Sequence, residues 1–195
     1  MTYLIMKIYA LYIYRQSNGN ATLIDSGKDF SDIGFMYRKN AIELADFASS
    51  QLATSKNTQT FMSAKEKQLM FHMYRKGEAA AIAVVSEDYP SRVVFSILRE
   101  IMGEFDQCSG RYPGGKSEVI KRGIVQYQEP KNADKLLQIQ SNLDEAKEIM
   151  ITNLEKAIGR GEKLSELAEK SENLSEQSKM FAREAEKMNS CCMAI

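Results

Sequence analysis

The stretch from Gly110 to Ser117 is the part of this sequence that comes nearest to an enzyme motif, because it reads G-x-x-x-x-G-K-S. In a phosphate-binding loop of this form the backbone amides surround the phosphates, Lys116 would contact the β- and γ-phosphates, and Ser117 would bind magnesium. Such a loop follows a buried strand, whereas this one follows an amphipathic helix predicted to end near Phe105. We therefore interpret the match as coincidental. A nucleotide hydrolase stays as the alternative, and Lys116→Ala would abolish its nucleotide binding.

Other side chains capable of catalysis are isolated in the sequence. His72 is the only histidine and lies in a predicted strand, where a structural role is favoured. Cys108 has no histidine close to it in the sequence that could act as a base. No pair of carboxylates and no spacing typical of metal ligands stands out. We predict that the protein is not an enzyme and has no catalytic residue, no cofactor and no metal site.

Two adjacent cysteines near the end of the printed chain indicate a different chemistry. Cys192-Met193-Ala194-Ile195 has the C-a-a-X form of a prenylation signal. One lipid gives only reversible membrane binding, so stable anchoring needs a second signal. A basic patch does not supply it, because the charges just before the cysteines cancel. We predict a prenyl thioether on Cys192, farnesyl or geranylgeranyl, and a palmitoyl or second prenyl group on Cys191.

A spacing of alternating threes and fours runs through the last third of the chain. It places sixteen positions on one seam of a helix, and a spacing sustained over eight heptads is typical of a left-handed coiled coil. A continuous helix of this length would extend roughly 80 Å. The seam consists of Leu136, Ile139, Leu143, Ala146, Met150, Asn153, Ala157, Arg160, Leu164, Leu167, Ser171, Leu174, Ser178, Phe181, Ala185 and Met188.

The middle of this seam is poorly suited to a helix that pairs with itself. Arg160 lies between Gly159 and Gly161, and each glycine costs about 1 kcal/mol of helix propensity relative to alanine. A guanidinium buried without partners is very costly, and the serines at 171 and 178 add little apolar area. We expect the segment to be mostly unfolded alone. It requires partner helices that supply apolar residues and hydrogen-bond acceptors for Arg160.

The run Ala157-Ile158-Gly159-Arg160-Gly161-Glu162-Lys163-Leu164 resembles the centre of an R-SNARE motif. Seven seam positions precede Arg160 and eight follow it, which is the layout of that family. With the Cys-Cys ending, the chain is similar to the lipid-anchored longin R-SNAREs, which are synaptobrevin-like and have no transmembrane segment. The resemblance implies membrane fusion through a four-helix bundle, in which Arg160 forms the zero layer with glutamines from three Q-SNARE helices.

The residues before Pro130 predict a series of strands and helices. The strands are Met6–Tyr14, Ala21–Asp25, Thr58–Ser63, Gln68–Arg75 and Glu78–Ser86, and the helices are Phe35–Leu52, Ser91–Phe105 and Glu118–Tyr127. This order resembles a longin domain, and Tyr89–Phe95 and Tyr127–Pro130 resemble that domain's second-helix opening and its exit into the SNARE motif.

The predicted fold class is α+β. We expect a profilin-like longin domain at 1–130, with a five-stranded mixed or antiparallel sheet and helices on both faces. A single long coiled-coil SNARE helix follows at 131–190, and a lipidation tail at 191–195.

The resemblance also implies regulation by a closed state, in which the longin domain autoinhibits the SNARE segment and shelters the lipid. Leu44 and Phe47 are candidates for the lipid groove, with ordinary core packing as their alternative role. Phosphorylation of Ser171 or Ser178 would oppose bundle formation, because a phosphate places about −1.5 to −2 charges in a packed layer.

Expected partners are three Q-SNARE helices, a membrane reached through the lipid anchor, and the SNARE disassembly machinery. The expected location is the cytoplasmic face of Golgi, endosomal or vacuolar membranes, in exchange with a soluble cytosolic pool. A longin-type trafficking adaptor without fusion activity is the alternative, and it would form no four-helix bundle.

The composition excludes several classes of protein. Basic and acidic residues both total 26, so the basic excess of a nucleic-acid-binding protein is missing. We expect neither a nucleic-acid partner nor a small-molecule substrate. No apolar run reaches the roughly 18 residues of a membrane-spanning helix, and the apolar opening has no cleavage site typical of a signal peptide. Three cysteines, two of them adjacent, indicate a reducing, cytosolic setting.

Overall fold

A computed structural model describes residues 6–56, 59–108, 112, 115–128, 149–159 and 161–191. In chain order these residues form β1 (Ile8–Ser17), β2 (Asn20–Lys28), α1 (Phe35–Thr54), β3 (Phe61–Glu66), β4 (Leu69–Lys76), β5 (Ala79–Ser86), α2 (Ser91–Gln107), α3 (Glu118–Gln126), β6 (Ile151–Asn153), α4 (Leu154–Ile158), α5 (Leu164–Glu169) and α6 (Glu176–Cys191). Every strand and helix predicted before Pro130 is present, with bounds that differ by a few residues. The α+β fold class is confirmed.

The sheet has the strand order β2-β1-β5-β4-β3-β6. Its first five strands pair antiparallel. A two-residue turn joins β1 to β2 at Asn18 and Gly19, whose φ angles of 51° and 79° suit a tight hairpin. The sixth strand, β6, is not predicted from the sequence. It comes from the C-terminal segment and pairs parallel to the edge of β3.

Helices cover both faces of the sheet and bury two hydrophobic clusters. Alternate residues of β1 point to opposite faces, so Leu11 and Ile13 enter one cluster while Ala10 and Tyr12 enter the other. The first cluster lies beneath α2 and α3. The second lies beneath α1, and α4 completes it from the C-terminal side.

Two glycines let α3 lie close against the first hairpin. A Cβ atom added to Gly123 would be 2.9 Å from Cδ1 of Leu11, and one added to Gly27 would be 2.7 Å from Cγ1 of Ile124. Either addition is closer than packed atoms tolerate. The glycines therefore set the distance between this helix and the sheet.

The C-terminal segment departs from the single continuous helix expected for a bundle. Its described residues form the short strand β6 and the helices α4, α5 and α6. Helix α4 ends at Ile158 and α5 begins at Leu164, and between them Gly159 and Gly161 have φ angles of 75° and 66°, a left-handed conformation that interrupts a helix. The segment takes this shape because the longin domain, rather than partner helices, covers its apolar residues. Within the part of the chain that the structure describes, no helix is long and apolar enough to cross a bilayer.

His72 is a buried structural histidine on β4. It is 2% exposed, its Nδ1 lies 2.8 Å from the hydroxyl oxygen of Ser63, and its ring packs edge-on against Phe95 at 5.2 Å. Its Nε2 is buried without a hydrogen-bond partner among the described residues. Desolvation lowers the pKa of His72 to about 4, because the charged ring would be buried without a counter-charge. The geometry agrees with the structural role predicted for this residue.

We predict that His72 makes the protein less stable in mild acid. Because the pKa in the folded state lies below that of the unfolded chain, stability falls as the pH drops through about 6.5 towards 4. Between pH 7 and pH 5 this group alone should remove about 2 kcal/mol from the free energy of unfolding. Urea titrations at both pH values should show a smaller loss in His72→Gln than in the wild type. Equal losses would contradict the assignment.

Candidate functional site

The C-terminal segment is folded back on the longin domain, and this docked surface is the candidate functional site. Its first contact is made by β6, whose residues 151–153 pair with residues 63–65 of β3. The following helix, α4, contacts both α1 and β3. It buries Leu154, Ala157 and Ile158 in the second hydrophobic cluster, each with at most 3% of its surface exposed. This short helix is therefore the anchor of the docked segment.

The later helices, α5 and α6, pack against α1. Leu167 from α5 joins the second cluster, while Ala168, Leu174 and Ala182 form a third cluster. Phe181 on α6 stacks against Tyr37 near the start of α1, with ring centroids 6.0 Å apart. The contacts show that α6 runs antiparallel to α1 along its exposed side.

Leu44 and Phe47, the two residues predicted for a lipid groove, lie on α1 beneath this packing. Both are partly buried against the third cluster, so they contact the C-terminal segment. An open groove of about 940 Å³ lies between α1, β2 and the docked segment. Phe47 lines it together with Leu23, Leu167 and Leu174, whereas Leu44 is not among its lining residues.

A polar contact lies in the middle of the α1–α6 interface. The carboxylate of Glu43 accepts hydrogen bonds from the hydroxyls of Ser175 and Ser178, both at 2.7 Å, and from the backbone amide of Ser175 at 3.3 Å. Ser178 is fully buried. The hydrogen bonds from Ser175 and Ser178 lower the pKa of Glu43 and outweigh desolvation, which acts in the opposite direction. The ionised carboxylate is therefore the form that holds α6 in place.

Ion pairs at the surface of the segment join α5 to α6. The carboxylate of Glu186 accepts hydrogen bonds from Lys163 and Ser165, both at 2.5 Å, and Arg183 lies 3.4 Å from Glu169. Exposed pairs of this kind contribute little to stability, because water and salt screen them. They orient the two helices, while the buried apolar residues provide most of the stabilisation.

The predicted seam does not coincide with the docked face. Ala157, Leu167, Leu174 and Ser178 are buried against the domain, but Met150 is 78% exposed. Asn153 is also exposed, and Leu164, Ser171 and Phe181 are partly buried. Other predicted residues lie outside the described residues, namely Leu136, Ile139, Leu143, Ala146, Arg160 and Cys192, while only the backbone is described at Ala185, Met188 and Cys191.

Sequence reasoning missed several residues that make the docked contact. Glu43 was indistinguishable from an ordinary solvent-facing acid, because its serine partners are more than 130 residues away in sequence. Leu154, Ile158, Ala168 and Ala182 lie off the seam, yet all are buried. The available signal was that apolar residues recur off the seam, at a spacing of four residues in the case of Leu154 and Ile158.

Of the loop that matches the phosphate-binding pattern, the structure describes residues 112 and 115–117. The loop follows the helix α2 rather than a strand. Ser117 is 1% exposed and caps α3: its hydroxyl accepts a hydrogen bond from the amide of Ile120 at 3.0 Å and donates one to Glu104. Its amide donates to Asp25 at 2.7 Å. A serine held between two carboxylates as a helix cap is not arranged as a magnesium ligand of a nucleotide site.

Comparison with known proteins gives two family matches and several full-length relatives. The longin family model, described as a regulated-SNARE-like domain, matches residues 35–127, and the synaptobrevin family model matches residues 135–193. The chain is 31% identical over 195 residues to Synaptobrevin homolog ykt6 of Schizosaccharomyces pombe, covering 96% of this chain and 99% of that protein. It is 31% identical over 200 residues to Synaptobrevin homolog YKT6 of Eremothecium gossypii, covering 97% and 100%. It is 30% identical over 199 residues to VAMP-like protein YKT61 of Arabidopsis thaliana, again covering 97% and 100%.

These matches extend across both the domain with the sheet and the segment folded back on it. They agree with the α+β fold and with the prediction that the protein is not an enzyme. The chain belongs to the longin R-SNARE family of non-enzymatic membrane-trafficking proteins.

Proposed function

We propose that this protein drives the fusion of intracellular vesicles by forming a four-helix bundle with three Q-SNARE helices. In this proposal residues 1–130 are the regulatory longin domain, 131–190 the R-SNARE motif and 191–195 the lipidation tail. Arg160 forms the zero layer and sets the register of the bundle. The observation that carries the proposal is that the segment buries its apolar residues against the longin domain. This is expected of a segment that cannot form a hydrophobic core by pairing with a second copy of itself.

The docked conformation is the proposed closed, autoinhibited state. In it Leu154, Ala157 and Ile158 are covered by α1 and β3, and Gly159 and Gly161 have left-handed φ angles. A continuous bundle helix requires both features to be lost, so docking and bundle formation exclude each other. The longin domain and the Q-SNARE helices therefore compete for the same segment.

The proposed anchor is a prenyl group on Cys192, supported by a palmitoyl or second prenyl group on Cys191. The groove of about 940 Å³ that Phe47 lines is the candidate shelter for a lipid chain in the closed state. Reversible palmitoylation would allow exchange between a cytosolic pool and the cytoplasmic face of Golgi, endosomal or vacuolar membranes. The SNARE disassembly machinery would then separate the chain from its Q-SNARE partners after fusion.

We predict that a peptide of residues 131–190 gains helix cooperatively when it is mixed with a suitable set of three Q-SNARE helices. Circular dichroism measures the gain, and the full-length chain should assemble more slowly because its segment is docked. Arg160→Ala should weaken the bundle, whereas Lys156→Ala, an exposed off-seam change, should not. No assembly with any Q-SNARE set would instead favour the trafficking adaptor, and a stable dimer of the peptide alone would contradict the proposal.

We predict that a negative charge at Ser178 opens the docked state. Ser178→Glu places a second carboxylate beside Glu43 and removes a buried hydrogen bond, which should cost more than about 1 kcal/mol. Amide hydrogen exchange of α4 and α6 in the full-length chain should become faster, and Ser178→Glu should also weaken the bundle. Ser171→Glu is the matched control for the exchange measurement, because Ser171 accepts no hydrogen bond from Glu43 and donates none to it among the described contacts, whereas in the bundle assay both seam changes should weaken assembly.

The double variant Ser178→Glu with Glu43→Gln separates repulsion from lost packing. If repulsion dominates, Glu43→Gln should restore part of the slow exchange. Exchange rates in Ser178→Glu that equal those of Ser171→Glu would refute the role given to the Glu43 contact.

We predict that Cys192→Ser leaves the protein wholly cytosolic, because the first lipid is required before any stable anchor can form. Cys191→Ser should retain weak, reversible membrane binding, as expected of a single lipid. Cell fractionation measures both. Cys108→Ser is the control, since Cys108 lies in the longin domain and packs against its core. Undiminished membrane binding of Cys192→Ser would defeat the lipid-anchor proposal.

A further inference from the structure

A second pocket, unrelated to the docked segment, lies where α1 ends beside the turn between β4 and β5. Its volume is about 450 Å³. It is lined by Gln16, Ser55, Lys56, Thr60, Arg75, Lys76 and Gly77. All of these lie outside the docked segment, so no residue of that segment lines the pocket as described.

The pocket is electrostatically positive. Three of its lining residues are cations, Lys56, Arg75 and Lys76, and none of the described lining residues is acidic. Lys76 pairs with Asp106 at 2.5 Å on its outer side. Arg75 makes no ion pair with any described residue, although it is only 9% exposed. A buried guanidinium without a counter-ion favours the arrival of an anion.

Buried donors in the pocket lack acceptors. Two nitrogens of Arg75 donate to Oε1 of Gln16 at 2.6 Å and to the carbonyl of Ala53 at 2.9 Å, which caps the end of α1. Its Nε has no partner within the described chain, and neither does the hydroxyl of Ser55, a residue that is 6% exposed. A buried donor that is left unpaired destabilises the folded protein. Both atoms are shielded from solvent in this structure, so a ligand with several acceptor oxygens would satisfy them together after a rotation of the two side chains.

We propose that this pocket binds a phosphate monoester carried on a small polar group. A phosphate offers three acceptor oxygens and close to two negative charges, which suits two cations and a hydroxyl better than a carboxylate does. The volume exceeds that of a bare phosphate and leaves room for a ring such as inositol. Lys56 and Ser55 contact the phosphate, and Arg75 supplies the buried charge. The source is either a soluble ester or a lipid head group.

The test uses the unlipidated full-length chain and two probes. Isothermal titration with inositol trisphosphate measures binding of the soluble ester, and sedimentation with phosphatidylcholine vesicles, with and without a phosphatidylinositol monophosphate, measures binding of the head group. Ser55→Ala and Lys56→Gln should each weaken binding about tenfold, the loss of one charge-assisted hydrogen bond. Both changes leave the helix-capping bonds of Arg75 in place.

Two matched lysines serve as controls. Lys121→Gln removes a charge from α3, where the side chain is 74% exposed, and Lys116→Gln tests the loop whose sequence matches a phosphate-binding motif. Both should bind like the wild type. Binding of inositol trisphosphate alone identifies a soluble ester, and binding of both probes identifies the lipid head group.

Three outcomes would overturn the proposal: no saturable binding of either probe, an equal loss in Lys121→Gln, or a loss confined to Lys116→Gln. The pocket shares no residue with the seam or the docked helices. A negative result for phosphate binding would therefore leave the proposed SNARE function unaffected. The bundle assay tests that function separately.

Discussion

The burial of α4 between α1 and β3 is the interaction on which the rest of the docked structure depends. Leu154, Ala157 and Ile158 are the most deeply buried residues of the C-terminal segment's first helix, and a five-residue helix has no stability of its own. It exists because the longin domain supplies the apolar surface. β6 adds backbone hydrogen bonds along β3, which would otherwise be an open edge of the sheet.

The same physical constraint underlies the proposed release of the segment from the domain. Its seam holds too few large apolar residues for a helix pair, and in the structure its apolar residues pack on a surface provided by the longin domain. α5 and α6 are held by a few small and medium apolar residues, by exposed ion pairs and by the contact of Glu43 with two serines. This is a modest set of interactions, which a more extensive helical interface could replace.

Helix α1 contributes to two separate surfaces of the protein. Its first half presents Tyr37 and Glu43 to α6, while carbonyls of its last turn accept hydrogen bonds from Arg75. The first surface is covered by the docked segment and the second is made wholly by the longin domain. Changes at one surface are therefore expected to be nearly independent of the other, because they share no side chain.

Much of the longin domain follows from local pattern in the sequence. The alternation of apolar residues in β1 and β5, the Asn18-Gly19 turn and the apolar stripe of α2 each specify an element and its buried face, so the α+β layout and the helices on both faces were predictable. The heptad spacing and Arg160 likewise determined the family. These signals lie between residues near each other in the chain, where periodicity and turn chemistry act.

Only the tertiary structure decided which residues of the segment are buried, because that depends on contacts between positions more than a hundred residues apart. Glu43 meets Ser178, and Leu154 enters the core of a domain whose strands end before residue 90. A heptad pattern describes the helix that forms with partner helices. It does not describe the broken form with left-handed glycines, which exists because the longin surface matches a different set of side chains.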